Sequence, residues 1–256
     1  MLPTIPPTFA NKPDDNAAEG DHPLQTKAWG NLLPELTGQR ASSKPRRTGL
    51  TMVMDRALGL RATEDLLELA GDSIDLIKLG FGTSVFVDEA LLRRKIESLR
   101  AHAVDVYPGG TLMEATLVQG VYPQFVKRAR ELGFTALEIS DGSITMSRQT
   151  RDEAIRRALD AGLRVITEVG KKDPALYVPP GELCDQIAAD LAAGADKVIV
   201  EARESGTGIG IYDHEGNVLQ LTPFVTLLRR RRLSLQEDWL TSLSSLGAKH
   251  ERAICD

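Results

Sequence analysis

Three glutamates occupy matching positions along the middle of the chain, each directly after a short, mostly apolar run. They are Glu138, Glu168 and Glu201. Carboxylate oxygens are the ligands that Mg²⁺ prefers, in an octahedral shell that keeps some waters. Without a cation nearby, three such charges would repel one another, and one or two would take up protons. We therefore predict a Mg²⁺ site formed by these three glutamates.

The alternative interpretation is that the glutamates pair with basic residues and only stabilise the fold. Three candidates for this pairing are Lys78, Lys172 and Arg203. Lys78 lies inside an apolar run, where a lysine usually has a functional or charge-pairing role. Both interpretations place the charges at the ends of strands, because an unpaired charge buried in a sheet interior costs several kcal/mol.

Side-chain alternation along extended strands indicates which of these residues share a face. Side chains two residues apart point the same way. Ser140 is therefore expected on the face of Glu138. By the same count, Lys172 shares a face with Glu168, whereas Lys171 does not.

Two glycine-rich stretches follow predicted strands and are candidate anion-binding loops. Glycine lets backbone N–H groups approach an anionic group closely. The first stretch contains Gly80 and Gly82, and the second contains Gly206 and Gly208, close to Arg203. The alternative interpretation of each stretch is a turn or a flexible loop without a ligand.

Short apolar runs and helix-like segments alternate along the chain from Thr48 onward. Six apolar runs predict strands at 50–54, 74–77, 104–106, 136–137, 164–167 and 197–200. Apolar residues at three- and four-residue spacing predict helices near 62–70, 88–101, 121–132, 150–161 and 181–193. Repeats of roughly 30 residues are typical of βα units with parallel strands.

This alternation is compatible with a closed (β/α)8 barrel or with an open, doubly wound sheet. No Gly-x-Gly-x-x-Gly turn follows the first predicted strand, which disfavours a dinucleotide-binding open sheet. Charged or glycine residues end every predicted strand, and a barrel brings all strand ends to one mouth. We predict an α/β fold of the TIM (β/α)8 type that lacks its last two βα units. The segment 219–256 shows no strand pattern, and the only further helical pattern is near 218–229.

The 256 residues are sufficient for one substantial domain, and the chain divides into three predicted segments. Residues 1–46 are rich in Pro, Asn, Asp and Ser and are expected to form a disordered N-terminal tail. Residues 47–218 hold βα units 1 to 6, and residues 219–256 form an atypical C-terminal segment.

Charge and composition restrict the expected partners. The formal net charge of −5 gives no general attraction to nucleic acid or to an anionic membrane surface. No apolar run approaches the roughly 18 residues of a membrane span. The sequence has only two cysteines, so a disulfide framework is not expected. A cytoplasmic location is therefore expected.

Six motifs, in the correct order over about residues 46–218, resemble those of the phosphosulfolactate synthase family. The first three begin at Arg47 (RTGLTMVMD), Ile74 (IDLIKLGFGTS) and Val106 (VYPGGTLME). The others begin at Leu137 (LEISDGS), Thr167 (TEVGKK) and Val200 (VEARESG). The family includes enzymes of coenzyme M biosynthesis and plant relatives associated with heat-stress tolerance. The resemblance implies a (β/α)8 barrel.

The resemblance also implies a Mg²⁺-dependent, lyase-type synthase that adds sulfite to phosphoenolpyruvate and gives 2-phospho-3-sulfolactate. The Mg²⁺, held by the three glutamates, would stabilise an enolate-like intermediate. A lysine would protonate the carbon that bears the phosphate, with Lys172 preferred over Lys171. Lys78, Arg203, Ser140 and the glycine loops would hold the phosphate, the carboxylate or the sulfite.

Other functions stay open at the level of the sequence. One alternative is a non-catalytic, stress-related barrel protein, and another is an inactive, truncated family member. A third is a metal-dependent aldolase or isomerase that acts on another phosphorylated acid. The expected partners are small-molecule substrates, without nucleic acid or membrane, and the sequence leaves a homo-oligomer open.

Overall fold

A computed structural model describes residues 44–46, 49–173, 175–176 and 178–201, together with the backbone of two strands at 235–240 and 250–255. Of the predicted N-terminal tail, only residues 44–46 are described. The helical pattern near 218–229 lies outside the described residues. Arg203, Gly206 and Gly208 also lie outside them.

Six parallel strands position the candidate site. They are β1 (Met52–Asp55), β2 (Leu76–Leu79), β3 (Asp105–Pro108), β4 (Ala136–Ser140), β5 (Arg164–Val169) and β6 (Lys197–Val200). They pair in chain order as β1-β2-β3 and β4-β5-β6. The backbone N–H of Thr135 donates to the carbonyl of Val106 at 3.0 Å, which places β4 beside β3. β4, β5 and β6 are therefore neighbours in the sheet.

Six α-helices connect these strands within the described residues. They are α1 (Leu60–Ala70), α2 (Glu89–Ala101), α3 (Gly110–Val118), α4 (Tyr122–Leu132), α5 (Arg148–Asp160) and α6 (Pro180–Ala192). All except α3 match predicted helices, because their apolar stripes pack on the sheet as the spacing indicates. A 3₁₀ helix at Gly80–Phe86 follows β2 directly. No described helix has the length and apolar character that would let it cross a membrane.

Two further strands occur in the C-terminal segment, where the sequence predicts none. They are β7 (Leu235–Leu240) and β8 (His250–Cys255). They pair antiparallel with each other, and β8 pairs antiparallel with β6. The prediction of no strand in this segment is therefore wrong. β7 is an edge strand, where charged residues are common. Glu237 and Asp238 in β7, and Arg252 in β8, interrupt the apolar alternation on which a strand prediction depends.

The two faces of the parallel strands contact different parts of the molecule. One face, which we call the helix face, packs against the helices through residues such as Val53, Ile77, Val106, Leu137 and Val165. The opposite face, which we call the site face, carries a smaller apolar cluster of Leu50, Met52, Leu76, Tyr107, Ala136, Ile166 and Ile199. Continuing the alternation of the site face toward the C-terminal strand ends leads to Lys78, Glu138 and Glu168. The candidate site therefore lies directly beyond an apolar layer.

Candidate active site

The ammonium group of Lys78 lies between two buried glutamates near the C-terminal ends of the strands. Its Nζ is 2.8 Å from each carboxylate oxygen of Glu138 and 3.2 Å from Oε2 of Glu168. The exposed fraction of the whole residue is 6% for Lys78, 0% for Glu138 and 2% for Glu168. The cluster joins β2 to β4 and β5, so it connects the two halves of the parallel sheet. The pairing with Lys78, which the sequence left as an alternative, is the observed arrangement for these two glutamates.

The Glu138 carboxyl is held by two groups that favour its ionised form. Burial raises the pKa of Glu138, the Lys78 ammonium lowers it, and the neighbouring Glu168 carboxylate raises it again. The backbone N–H of Gly110 donates to Glu138 Oε1 at 2.9 Å and also lowers this pKa. That N–H belongs to the first residue of α3, where the helix dipole favours a negative charge.

The start of α3 fits against the glutamates only because residue 110 is a glycine. A Cβ at position 110 would lie 2.2 Å from Ser140 Oγ and 2.6 Å from Glu138 Oε1. Both of those atoms are already hydrogen-bonded, so neither can move away without losing a contact. The absence of a side chain at Gly110 is therefore a geometric requirement of the site.

The two adjacent lysines after β5 have different environments. Lys172 Nζ donates to Thr111 Oγ1 at 2.9 Å and lies 3.8 Å from Glu168 Oε1. Lys171 Nζ instead donates to the carbonyl and the Oδ2 of Asp141, each at 2.6 Å, and to the carbonyl of Ile144 at 2.9 Å. Lys172 therefore lies near Glu168, although β5 ends at Val169 and Gly170 has a φ of +104°.

Ser140 and the loop after β4 are held by a glutamate that the sequence analysis did not select. Glu114, on α3 and 2% exposed, accepts hydrogen bonds from the Ser140 hydroxyl, the Gly142 N–H and the Ser143 N–H. The signal that could have identified it is its position one helical turn after Gly110, among apolar residues of α3. The Ser140 hydroxyl is therefore engaged inside the fold.

The charge at the end of β1 belongs to the helix face. One oxygen of Asp55 accepts from the Leu58 N–H at 2.7 Å, and the other forms an ion pair with Lys95 of α2. Lys95 also donates to the Leu58 carbonyl at 2.6 Å. Asp55 therefore holds the β1–α1 connection and does not share the face of Lys78.

The predicted three-glutamate metal site can be tested against these contacts. Glu201, directly after β6, is 3% exposed. Its Cβ lies so near Gly170 that a Cβ added to that glycine would be only 3.1 Å away. Within the part of the chain that the structure describes, no three His, Cys, Asp or Glu side chains group closely enough to hold a metal ion. Lys78 fills the space between the other two glutamates. The described side chains therefore contain no preformed three-glutamate metal site, and the assignment of these three glutamates as Mg²⁺ ligands stays a prediction.

Four of the predicted site residues come together: Lys78, Glu138, Glu168 and Lys172.

Gly80 lies at the start of the 3₁₀ helix after β2, where its carbonyl accepts a hydrogen bond from the Thr83 hydroxyl at 2.8 Å. Gly82 has φ of +68° and open space where a Cβ would lie.

Comparisons with known proteins agree on one family. The family model described as (2R)-phospho-3-sulfolactate synthase (ComA) matches residues 39–223. The phosphosulfolactate synthase of Methanothermobacter thermautotrophicus is 41% identical over 190 residues, which cover 73% of this chain and 73% of that protein. The one of Methanocaldococcus jannaschii is 45% identical over 172 residues (66% and 68%), and the one of Bacillus subtilis is 37% identical over 179 residues (69% and 69%).

Among solved structures, the chain is similar to a phosphoenolpyruvate phosphomutase from Streptomyces platensis. The sequence identity is 20%, the match covers 62% of this chain and 61% of that one, and the TM-score is 0.42. A likeness this weak has no bearing on the chemistry.

Replacement of Lys78 by methionine is expected to destabilise the protein more at high pH than at low pH. Lys78 lowers the pKa of Glu138, so in K78M that pKa rises further above its value in the unfolded chain. The stability that K78M has with Glu138 protonated is full below the unfolded-state pKa of this glutamate. It is lost as the pH rises through the folded-state pKa of Glu138. We expect the free energy of unfolding to fall by about 3 to 5 kcal/mol near pH ~8 and by less near pH ~5, measured by urea denaturation.

The matched control for K78M is K127M on α4, where the lysine side chain is 80% exposed. We expect K127M to change the free energy of unfolding by less than about 0.5 kcal/mol at either pH. An equal loss for K78M at both pH values would contradict the role of Lys78 as the cation of Glu138 and Glu168.

Replacement of Gly110 by alanine is expected to destabilise the protein by about 1 to 3 kcal/mol, because the added methyl group overlaps two held atoms. The control is G181A in the first turn of α6, where a Cβ meets nothing within 4 Å. G181A is expected to stabilise the protein by about 0.4 to 1 kcal/mol. The free energy of unfolding of both variants is measured by thermal and urea denaturation. If G110A is as stable as G181A, α3 does not approach β4 as closely as the structure shows.

Proposed function

Because this chain belongs to the (2R)-phospho-3-sulfolactate synthase family, we propose that it joins sulfite to phosphoenolpyruvate to give 2-phospho-3-sulfolactate. The single observation that best supports this chemistry is the placement of Lys78 and Lys172 on either side of Glu168, at one end of the parallel sheet. Lys172 is the more exposed of the two, and its ammonium group at the strand ends suits an anionic group of a substrate that carries both a phosphate and a carboxylate. The overall net charge of −5 makes such local cations necessary for attracting anions.

In the proposed reaction, the sulfur lone pair of sulfite forms a C–S bond to the methylene carbon of phosphoenolpyruvate. The electrons of the C=C bond move toward the substrate carboxylate, so negative charge develops there. Fixed positive groups in a site that excludes water stabilise such a charge strongly. A proton then goes to the carbon that bears the phosphate, and the donor regains a proton from solvent. No bond to the phosphate breaks.

Lys172 is the proposed proton donor. Its side chain is 21% exposed, its ammonium group lies near Glu168, and Thr111 holds it toward the site. Lys171 donates to three oxygens of the β4 loop, which leaves its ammonium committed to the helix face. Glu168 and Lys78 are proposed to set the electrostatic field around the reacting carbon, since they touch each other at the strand ends.

Mg²⁺ is proposed as the cofactor, and its protein ligands would come from the carboxylates of Glu138, Glu168 and Glu201. This ion is usually held by one or two carboxylates together with substrate oxygens and water, so three protein ligands are not required. Bound in this way, Mg²⁺ would supply Lewis-acid stabilisation of the developing charge. The proposed substrate-binding residues stay Arg203, Ser140, Gly80, Gly82, Gly206 and Gly208.

We also propose that the strands form a barrel of the TIM type in which the β7–β8 hairpin stands in place of the last two βα units. The chain-order pairing within β1-β2-β3 and within β4-β5-β6 supports this arrangement, as do the hydrogen bond between Thr135 and Val106 and the pairing of β8 with β6. The expected cytoplasmic location and the possibility of a homo-oligomer stay predictions.

The activity itself is the first test. With Mg²⁺ present, the purified chain is expected to consume phosphoenolpyruvate only when sulfite is added, followed by ³¹P NMR. K172M is expected to lower kcat about 10²- to 10⁴-fold, the usual contribution of a positioned proton donor. K127M serves as the matched control, and we expect it to leave kcat unchanged. If phosphoenolpyruvate is not consumed, the chain is a non-catalytic member of its family.

A second test concerns the metal. Chelation by EDTA is expected to abolish sulfite-dependent turnover, and added Mg²⁺ is expected to restore it. Because a ligand that binds only the folded state raises its stability, Mg²⁺ and phosphoenolpyruvate together should raise Tm more than either alone. Full turnover after exhaustive chelation would contradict the proposed Mg²⁺ requirement.

A further inference from the structure

A buried arginine lies behind the candidate site, on the helix face. Arg151 of α5 is 2% exposed, and Asp190 of α6 is 0% exposed. The Nε of Arg151 lies 2.9 and 3.0 Å from the two carboxylate oxygens of Asp190, and its Nη2 lies 2.7 Å from Oδ2. Such a two-pronged arginine–carboxylate contact fixes the orientation of the guanidinium plane.

The remaining donors of Arg151 reach the strand ends that carry the site. Nη2 donates to the backbone carbonyl of Glu168 at 3.0 Å, and Nη1 donates to Asp141 Oδ1 at 3.1 Å. Asp141 in turn uses its other carboxylate oxygen and its carbonyl to hold Lys171 Nζ. A continuous series of charge-assisted contacts therefore runs from Asp190 to Lys171.

We propose that Arg151 is a positioning residue for the lysine pair after β5. By holding both the Glu168 carbonyl and Asp141, it keeps Lys171 bound on the helix face. β5 ends at Val169, and the backbone N–H of Lys172 donates to the Gly142 carbonyl at 3.0 Å. A Lys171 fixed on the helix face therefore keeps this short segment where Lys172 reaches Glu168. The consequence for catalysis rests on the proposed function, in which Lys172 delivers the proton. The role of Arg151 in holding Lys171 does not depend on the proposed function.

Lysine cannot replace arginine at this position. The guanidinium offers five N–H donors in a rigid plane, whereas an ammonium offers three on one atom. Arg151 uses Nε, Nη1 and Nη2 at once, toward three separate residues. In R151K the pairing with Asp190 can persist, while the contacts to Asp141 and the Glu168 carbonyl are lost.

Amine labelling provides a readout that does not require activity. The side chains of Lys171 and Lys172 are equally exposed, at 20% and 21%. A difference in their rates of acetylation by acetic anhydride, resolved by mass spectrometry of peptides, therefore reports hydrogen bonding of the ammonium group. In the full-length wild-type chain we expect Lys171 to react more slowly than Lys172.

Three variants test the proposal: R151K, D141N, and the double variant R151M/D190L. The double variant replaces a buried ion pair by apolar side chains, which is often neutral for stability, so it protects the test against simple unfolding. In each variant we expect Lys171 to be acetylated faster than in the wild type. We also expect kcat to fall about 10- to 100-fold with a smaller change in KM, as for a misplaced reacting group.

A buried arginine–aspartate pair at the opposite ends of the strands provides the control. Arg46 Nη1 lies 3.5 Å from Asp75 Oδ1, just before β2. R46K is expected to lower the free energy of unfolding while the Lys171:Lys172 acetylation ratio and kcat stay at wild-type values. A change in that ratio in R46K would show that the ratio follows global stability.

Two results would overturn the proposal. The first is wild-type kcat in a folded R151M/D190L protein, and the second is wild-type protection of Lys171 in that protein. Failure of the proposed function gives a different result from failure of the positioning role. The wild type would then show no sulfite-dependent turnover, while the acetylation pattern would still respond to R151K and D141N.

Discussion

The contact of one lysine with two glutamates is the interaction on which the strand ends depend. Removing a carboxylate from water costs several kcal/mol, and this cost is offset only by close opposite charge and further hydrogen bonds. Lys78 supplies the charge for Glu138 and Glu168, and the first N–H of α3 adds a hydrogen bond to Glu138. The ion cluster therefore also determines where α3 begins. Only a glycine at position 110 lets the helix start so near the carboxylate.

Charges at the strand ends serve two different purposes, and the alternation of side chains separates them. Lys78 and Glu168 lie on the site face, beyond the small apolar cluster. Asp55 and Lys171 lie on the helix face, where Lys95 and Asp141 bind them. A charge at a strand end is therefore not by itself a sign of catalysis. Its face decides whether it joins the Lys78 cluster or holds a helix.

Much of the framework could be predicted because it depends on local periodicity. The six parallel strands and five of the helices follow apolar patterns that their own residues contain. The helix α3 was missed because its apolar residues lie on all sides of the helix and form no single apolar stripe. Arg151 and Asp190 were missed as well, although each occupies a position on the buried stripe of its helix. Charged residues of opposite sign on two such stripes are visible in the sequence, and they could have indicated a buried ion pair between the two helices.

The sequence by itself determined the order of the six parallel strands and of five helices, the family, and the shared face of Glu138 with Ser140. These follow from spacing along one segment, because backbone geometry fixes side-chain direction locally. Only the tertiary structure decided that Lys78 binds both glutamates, and that Lys171 and Lys172 have different partners. Their interaction energies and pKa values depend on distances between residues far apart in the chain, up to 90 positions for Lys78 and Glu168. No local pattern contains those distances, since they exist only once the strands are paired.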